Sequence, residues 1–328
     1  MRPNILVSVA LLVAVVVFGY FLSPDLGSFG ITLMSGLFQG MLLFLVASGL
    51  SIIFGLMDVL NFAQGAYFMV GAYVSYSVHH SPDVMAAIPD PNIRFFLSVI
   101  SAVAVGAVLG GLLERFLLRP LYARPIFQIV LTFGVAIVMT EAVEFIWSTT
   151  PYSWTVLFSL RDQSFQLFGQ SFGVYRLVVI GIGFALIILI GLLLQRTRIG
   201  IIIRAGVEDR EMVEALGINV RMVFTLVFTI GCAVASFGGA IAAPFLGASA
   251  GLANLFLLSA IAVVVLGGMG SYAGTAMGSL LLGLALAVMQ VFAGKPQIGL
   301  PVLASMTPMM LMILVLLVRP GGLFGKGR

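Results

Sequence analysis

The 328-residue chain is 61% hydrophobic and 9% charged, with a formal net charge of +4 and one cysteine. Soluble globular domains hold roughly 45–50% apolar residues, so no soluble domain fits anywhere, and a lone Cys232 inside an apolar run excludes disulfides and cysteine-based metal sites. The pI of about 9.5 is explained by charged loops at a membrane surface, and nucleic acid is not expected as a partner.

A helix crosses the ~30 Å hydrocarbon core of a bilayer with about 20 apolar residues. By that measure the apolar runs predict about ten spans, at 5–22, 31–55, 62–79, 95–117, 126–146, 175–195, 222–245, 254–268, 275–293 and 300–318. The first run is longer than the usual ~7–15-residue signal core, and Leu22-Ser23-Pro24-Asp25 offers no small-x-small cleavage pattern, so a retained helix is expected. The eighth run is short enough to be broken or re-entrant. The expected fold class is all-α: a polytopic helical membrane protein forming one transmembrane domain over residues 1–328.

Two short connections lack any basic residue, Leu56–Asn61 and Met269–Gly274, and both are flanked by glycines such as Gly55, Gly268 and Gly270. Paired interruptions of this kind mark substrate paths in transporters; two tight helical hairpins at the surface would look the same. Asn61-Phe62-Ala63-Gln64 matches a capping box, in which Asn61 accepts from the Gln64 amide and the Gln64 side chain returns the bond. Asn61 and Gln64, with Gly268 and Gly270, are therefore candidates for the translocation path. His79 and His80 point apart on a helix and have no third ligand at metal-site spacing, so no metal role is assigned to them. Glu141, one turn deeper than Glu144, is the remaining path candidate, because intramembrane carboxylates are costly and often functional.

The aromatic segment 147–174, with Trp147, Tyr152, Trp154, Phe158, Phe165 and Phe168, is expected to lie at the headgroup level as an anchor. In the seventh run Gly231, Ala235, Gly239, Ala243 and Gly247 recur every four positions, a flat face for close helix packing. The tail Pro320–Gly327 is similar to a phosphate loop only in outline. Pro320 stands where a glycine is required and Gly327 where a Ser or Thr should follow the lysine. No nucleotide site, no cofactor and no catalytic motif is expected.

Basic residues orient the chain. Arg2, Arg115, Arg119, Arg124, Arg196, Arg198, Arg204, Arg210, Arg221, Arg319, Lys326 and Arg328 fall on one side, and only Arg94, Arg161, Arg176 and Lys295 on the other. The positive-inside rule then places both termini in the cytosol. The longest cytosolic segment, 196–221, holds five arginines and four carboxylates. Within it Glu208 and Asp209 open a short amphipathic helix where the helix dipole favours anions, Arg210 pairs with Glu214 at i, i+4, and Gly217 closes it. Its mixed charge and small apolar stripe suit a protein groove better than a lipid surface.

Glu214-Ala215-Leu216-Gly217-Ile218-Asn219 resembles the cytoplasmic coupling loop of ABC-importer permeases. Gly55-Leu56-Met57-Asp58-Val59-Leu60-Asn61-Phe62-Ala63-Gln64-Gly65 resembles the N-terminal signature of the branched-chain amino acid permease family. Glu114-Arg115 with Arg119-Pro120-Leu121, Gly267-Gly268-Met269-Gly270-Ser271 and Arg319-Pro320-Gly321-Gly322-Leu323-Phe324-Gly325 resemble the same family, in order along the chain. The similarity is closer to its LivH-type than to its LivM-type subunits. It implies an ABC-importer permease fold in the bacterial inner membrane, with a LivM-type second permease, two cytoplasmic ATPases and a periplasmic substrate-binding protein as partners. It also implies that Glu208, Asp209, Arg210, Glu214, Ala215, Leu216, Gly217 and Ile218 couple the ATPases to the membrane helices. Substrates in the family range over branched-chain amino acids, urea, amides and small carboxylates. Where the family often has histidine, this chain has Gln64. Two readings compete: an ion-coupled transporter or channel using Glu141, and a membrane enzyme, for which no convergent polar set is found.

Overall fold

The computed structural model describes residues 3–23, 25–156, 158–167, 169–197, 200–202, 205, 217, 219–295 and 298–325. Its long helices are α1 (Pro3–Leu22), α2 (Leu26–Met57), α3 (Gln64–His80), α5 (Pro91–Leu112), α6 (Pro125–Trp147), α8 (Val174–Arg196), α9 (Val220–Leu246), α10 (Leu252–Gly267), α11 (Tyr272–Ala293) and α12 (Val302–Val318). Short pieces fill the connections: α4 (Pro82–Ala87), α7 (Ser159–Asp162), and a hairpin of β1 (Ser164–Leu167) and β2 (Gln170–Gly173).

Local chemistry sets the helix starts. Asp25 caps α2 by accepting from the amides of Gly27 and Ser28, and the Ser28 hydroxyl and these amides hold its carboxyl below the usual carboxylate range. Asp90 precedes Pro91 at the start of α5 and accepts from the Asn92 amide. Asn219 and Ser271 cap α9 and α11 in the same way.

Each of the ten apolar runs is helical, but the helices are unequal. Six are long and apolar enough to cross a bilayer: Leu26–Met57, Pro91–Leu121, Pro125–Trp147, Val174–Arg196, Val220–Leu246 and Tyr272–Ala293. Val7–Leu22, Leu252–Gly267 and Val302–Val318 are shorter apolar helices, and α3 has 17 residues. The molecule is thus an all-α, multi-pass membrane protein whose inner elements are partly of reduced length.

Burial separates core from periphery. Of the most apolar stretch, 89% is buried in α2, against 17% in α6 and 22% in α8. Around α2 pack α9 and α11, and α9 also packs on α3 and α5. The small-residue face expected on the seventh run does the packing. A Cβ on Gly239 would overlap the backbone of Phe68 in α3, and one on Gly231 would lie 2.9 Å from Gly49 O in α2. Backbone-to-backbone approach of this kind replaces the hydrophobic driving force that lipid does not supply.

The starting points of α3 and α10 shape the molecule. Gln64, the first residue of α3, donates to Val46 O, and Val46 precedes Met57, the end of α2, by eleven residues. At ~1.5 Å per residue, α3 begins about 16 Å back along α2 from its end. Gly65 in turn abuts Ala253 and Leu257 at the start of α10, and the rings of Phe68 and Phe256 stack at 4.0 Å. Both helices therefore start inside the bundle. α3 runs from there toward the β-hairpin end and α10 toward the opposite end, where α2 stops.

At the hairpin end the expected headgroup anchor is corrected. Trp154 and Phe158 are buried to 5% and 3% exposure. Trp154 stacks on His79 at 4.7 Å, and Phe158 on Phe95 at 4.4 Å. His80 accepts from the Val156 amide and Tyr152 bridges to Ala248. Trp154 and Phe158 plug the helix ends, Trp147, Tyr152 and Phe165 are half-buried, and Phe168 lies outside the described residues. His79 and His80 serve this plug.

The central contacts generate a stability prediction. In Gly49→Ala the new Cβ would overlap Gly231 O and the Gln64 amide, so a loss of about 1–3 kcal/mol is expected. Gly134→Ala meets nothing within 4 Å and should be neutral or slightly stabilising. Thermal unfolding of both variants in mild detergent checks the ordering; equal melting temperatures would contradict the close approach.

Candidate functional site

Residues 58–63 are the first helix break. α2 ends as Asp58 takes a left-handed backbone (φ 54°) and donates its amide to Phe54 O. The chain then turns back into the bundle without helical hydrogen bonds. Non-helical backbone at membrane depth persists only where protein groups satisfy it, and here they do. Thr132 on α6, fully buried, accepts from the Phe62 amide at 3.2 Å and lies 3.3 Å from Leu60 O. Asn61 Oδ1 accepts from the Ala63 amide at 3.1 Å, and Asn61 O from the Gln64 amide.

The capping box is corrected by this wiring. The Asn61 side chain does not cap the Gln64 amide; it closes an Asx turn onto Ala63 and donates from Nδ2 to Gln64 Oε1 at 3.1 Å. Gln64 Nε2 donates to Gly231 O of α9 at 3.0 Å and to Val46 O of α2 at 3.4 Å. Asn61 Nδ2 also lies 3.7 Å from the sulfur of Cys232. Asn61, Gln64 and Cys232 are 1%, 0% and 0% exposed. Together they form a sealed polar knot joining α2, α3 and α9, made possible by the missing side chains of Gly49 and Gly231.

The second break, between α10 and α11, is a tight hairpin. Ser271 Oγ accepts from the Gly274 amide at 3.1 Å, Thr275 Oγ1 donates to Ser51 Oγ of α2 at 2.8 Å, and Gly267 and Gly274 touch through their backbones. Gly268 is buried and Gly270 exposed, both at positive φ (98° and 82°). A Cβ on Gly55 would lie 3.0 Å from Gly270 O, so the two breaks meet. The glycine-rich tail completes the cluster: the amides of Leu323 and Phe324 donate to Leu266 O and Gly267 O at 2.8 and 2.9 Å. The tail is the C-cap of α10, supplying donors to carbonyls a helix end leaves open. Its pairing with Gly267 was not anticipated; the matching glycines on both strips were the available signal.

Between these features lies the Glu114 block. The end of α5 widens into a π-helical turn, Leu113–Leu118, a distortion frequent at functional sites. It carries Glu114 at 0% exposure, which accepts from the Tyr122 hydroxyl. Gln128 at the start of α6 donates to Leu121 O at 2.8 Å. A cavity of about 480 Å³ opens beside this turn, lined by Arg115, Arg119, Asn219 and Met222 among others.

Glu141 is not part of this assembly. It is exposed on α6, between Ile137 and Phe145 on the outward face. Of the residues assigned to coupling, Gly217 is described, exposed and at φ 80°, a backbone that favours glycine. Glu208, Asp209, Arg210, Glu214, Ala215, Leu216 and Ile218 lie outside the described residues.

Comparison with known proteins supplies the context for this geometry. Residues 32–316 match the family model described as branched-chain amino acid transport system / permease component. The high-affinity branched-chain amino acid transport system permease protein LivH of Salmonella typhimurium is 27% identical over 292 residues, covering 86% of this chain and 91% of the relative. The corresponding protein BraD of Pseudomonas aeruginosa is 28% identical over 314 residues, covering 92% and 98%. Among solved structures, PsaBC from Streptococcus pneumoniae in complex with Fab aligns over 88% of this chain and 92% of that one. At a TM-score of 0.45 and 11% identity that likeness carries no argument.

The polar knot is open to a chemical test, because Cys232 is the single cysteine. Asn61→Ala removes the partner of both Gln64 Oε1 and the Ala63 amide and should cost about 1–3 kcal/mol. N-ethylmaleimide should label Cys232 faster in this variant than in the native protein. Equal labelling rates together with an unchanged melting temperature would refute the knot.

Proposed function

The chain belongs to the branched-chain amino acid transport permease family, and we infer that it is the LivH-type membrane subunit of an ATP-driven importer. The observation that carries this reading is the family match over residues 32–316, with relatives named as permease proteins aligned along nearly their whole length. On this reading residues 1–328 form one permease domain with no catalytic residues of its own. ATP is hydrolysed by two cytoplasmic ABC subunits, the second permease is a LivM-type chain, and a periplasmic binding protein delivers the solute. The membrane is the bacterial inner membrane. The end at which α2 stops faces the cytosol, as do both termini, because most of the basic residues gather there. The solute is a branched-chain amino acid or a related small polar molecule.

Coupling is assigned to the arm 196–221, through Glu208, Asp209, Arg210, Glu214, Ala215, Leu216, Gly217 and Ile218. Two features of its surroundings support this. Asn219 lies in the last part of the arm and caps α9, accepting from the Met222 amide at 3.2 Å. α9 in turn holds Gly231 and Cys232 of the polar knot. A push on the arm therefore reaches the Asn61–Gln64 break through one rigid helix. Gly268 and Gly270 lie beside the end of α2 and would move with it. On this view Asn61, Gln64, Gly268 and Gly270 border the path as hinge elements, with Asn61 and Gln64 sealed in the state described. Glu141 is kept as the group an ion-coupled alternative would need.

The test uses the assembled complex in proteoliposomes with binding protein and ATP. Gly217→Pro forces a φ near −65° on a residue at +80°, and Glu214→Lys reverses a charge on the arm. Both variants should assemble in the membrane and lose ATP-driven leucine uptake. Normal uptake by both would sink the coupling assignment. Leucine uptake without ATP that Glu141→Gln abolishes would replace the importer with the ion-coupled reading.

A further inference from the structure

The early start of α10 leaves a hollow in the half of the bundle away from the breaks. A cavity of about 470 Å³ lies there between α2, α9, α10, α11 and α12, within the ~300–1,000 Å³ typical of small-molecule sites. Phe38, Leu42, Phe245, Phe256 and Leu286 are among its apolar wall residues, and its polar lining is Gln39, Gln290, Ser259 and Ser305.

Gln39 Nε2 donates to Gln290 Oε1 at 2.9 Å, and Gln290 Nε2 donates back to Gln39 Oε1 at 3.4 Å. A primary amide has two donors and two acceptor lone pairs. The reciprocal pair uses half of them, leaving one N–H and one lone pair on each residue. Ser259 and Ser305 give their protons to Leu255 O and Val302 O at 2.8 Å, so both oxygens remain acceptors. Arg176 lies against the wall, its guanidinium 4.8 Å from the Phe245 ring and 5.7 Å from the Phe38 ring. Among the described residues no carboxylate lines the cavity. Gln39 and Ser259 are half-buried and Gln290 and Ser305 exposed; against lipid, donors and acceptors left unused there are costly without a polar occupant.

We propose that this cavity is a transit site for small α-amino acids with uncharged apolar side chains. The proposal rests on the importer reading and adds a site to it. The apolar wall takes the side chain. The free amide N–H groups take the carboxylate, with Arg176 behind the Phe38 and Phe245 rings adding positive potential, and the amide and serine oxygens take the ammonium group. Neutral amides serve both ends of a zwitterion without binding either strongly, which suits a site that must also release its occupant. With a cation at the wall and no carboxylate, side chains bearing a second positive charge are disfavoured. An acyl chain would satisfy the apolar wall and leave every one of these polar valences unused.

The experiment places a cysteine on the cavity wall, Ala304→Cys, in the complete complex in proteoliposomes, with the native protein and its fully buried Cys232 as the reference. The rate of modification by a small methanethiosulfonate reagent is read with and without amino acids. Leucine, isoleucine and valine should slow modification several-fold while arginine does not. No slowing by any of the three, or equal slowing by arginine, overturns the proposal and leaves the cavity to lipid. A second variant, Gln39→Leu with Gln290→Leu, conserves volume and should still co-purify with its partners. It should lower maximal leucine uptake about tenfold through the lost hydrogen bonds, and wild-type uptake by it overturns the proposal. Failure of the importer reading has a different signature: the unsubstituted complex shows no ATP-driven uptake, whatever the labelling rates.

Discussion

A backbone that leaves the helix inside a bilayer must find a partner for every amide it exposes, and residues 58–63 impose that constraint on the whole molecule. The hydroxyl of Thr132 and the side chain of Asn61 meet the demand of the break itself. The Gln64 amide then ties the start of α3 to backbone carbonyls of α2 and α9. For a side-chain amide to reach two helix backbones at once, those helices must be almost in contact. Gly49 and Gly231 provide that approach, and the small-residue face of α9 extends it toward Phe68 and Gly71. The polar knot thus depends on the glycine packing, which brings Val46 O and Gly231 O within reach of one side chain.

The same break sets the depth of the neighbouring elements. Because α3 starts part-way along α2, its early residues pack on the start of α10, through Gly65 and the Phe68–Phe256 stack. α10 is left to cover one half of the bundle, and its 16 residues correspond to about 24 Å of helix. Its far end then has to be closed by something other than a continuing helix. The tail does this with the amides of Leu323 and Phe324, so the C-terminal glycines, the α10–α11 hairpin and the end of α2 form one compact junction.

Much of the architecture was legible in the sequence because a membrane helix is written in composition: every apolar run became a helix, within a few residues at each end. The α9 face was legible for a similar reason, as only small residues allow backbone contact. What stayed hidden depended on pairing across distance. Nothing local to Asn61 says that its amide faces Gln64 instead of the Gln64 backbone, and Thr132, which completes the break, sits 70 residues away. Trp154 and Phe158 have the composition of interfacial anchors, yet His79 and Phe95 offer them rings to stack on, and burial wins. The Gln39–Gln290 pair was missed because its two halves are 251 residues apart and each alone is an ordinary polar residue in an apolar run.

The placement of these features bears on how a permease could work. Near the end where α2 stops lie the hairpin, the tail, the π turn with Glu114 and the attachment of the charged arm at Asn219. At the other end a plug of stacked rings holds the helix ends together. A force applied through Asn219 acts on α9, and α9 is the helix whose backbone the Gln64 amide holds. Buried polar networks of this sort are discrete: a hydrogen bond to Gly231 O is either made or lost, and losing it unpaired in a dry interior carries a full desolvation cost. The knot therefore favours two separated arrangements over gradual bending. On the importer reading proposed above, two separated arrangements are what alternating access asks of the element lying between the arm and the cavity in the opposite half of the bundle.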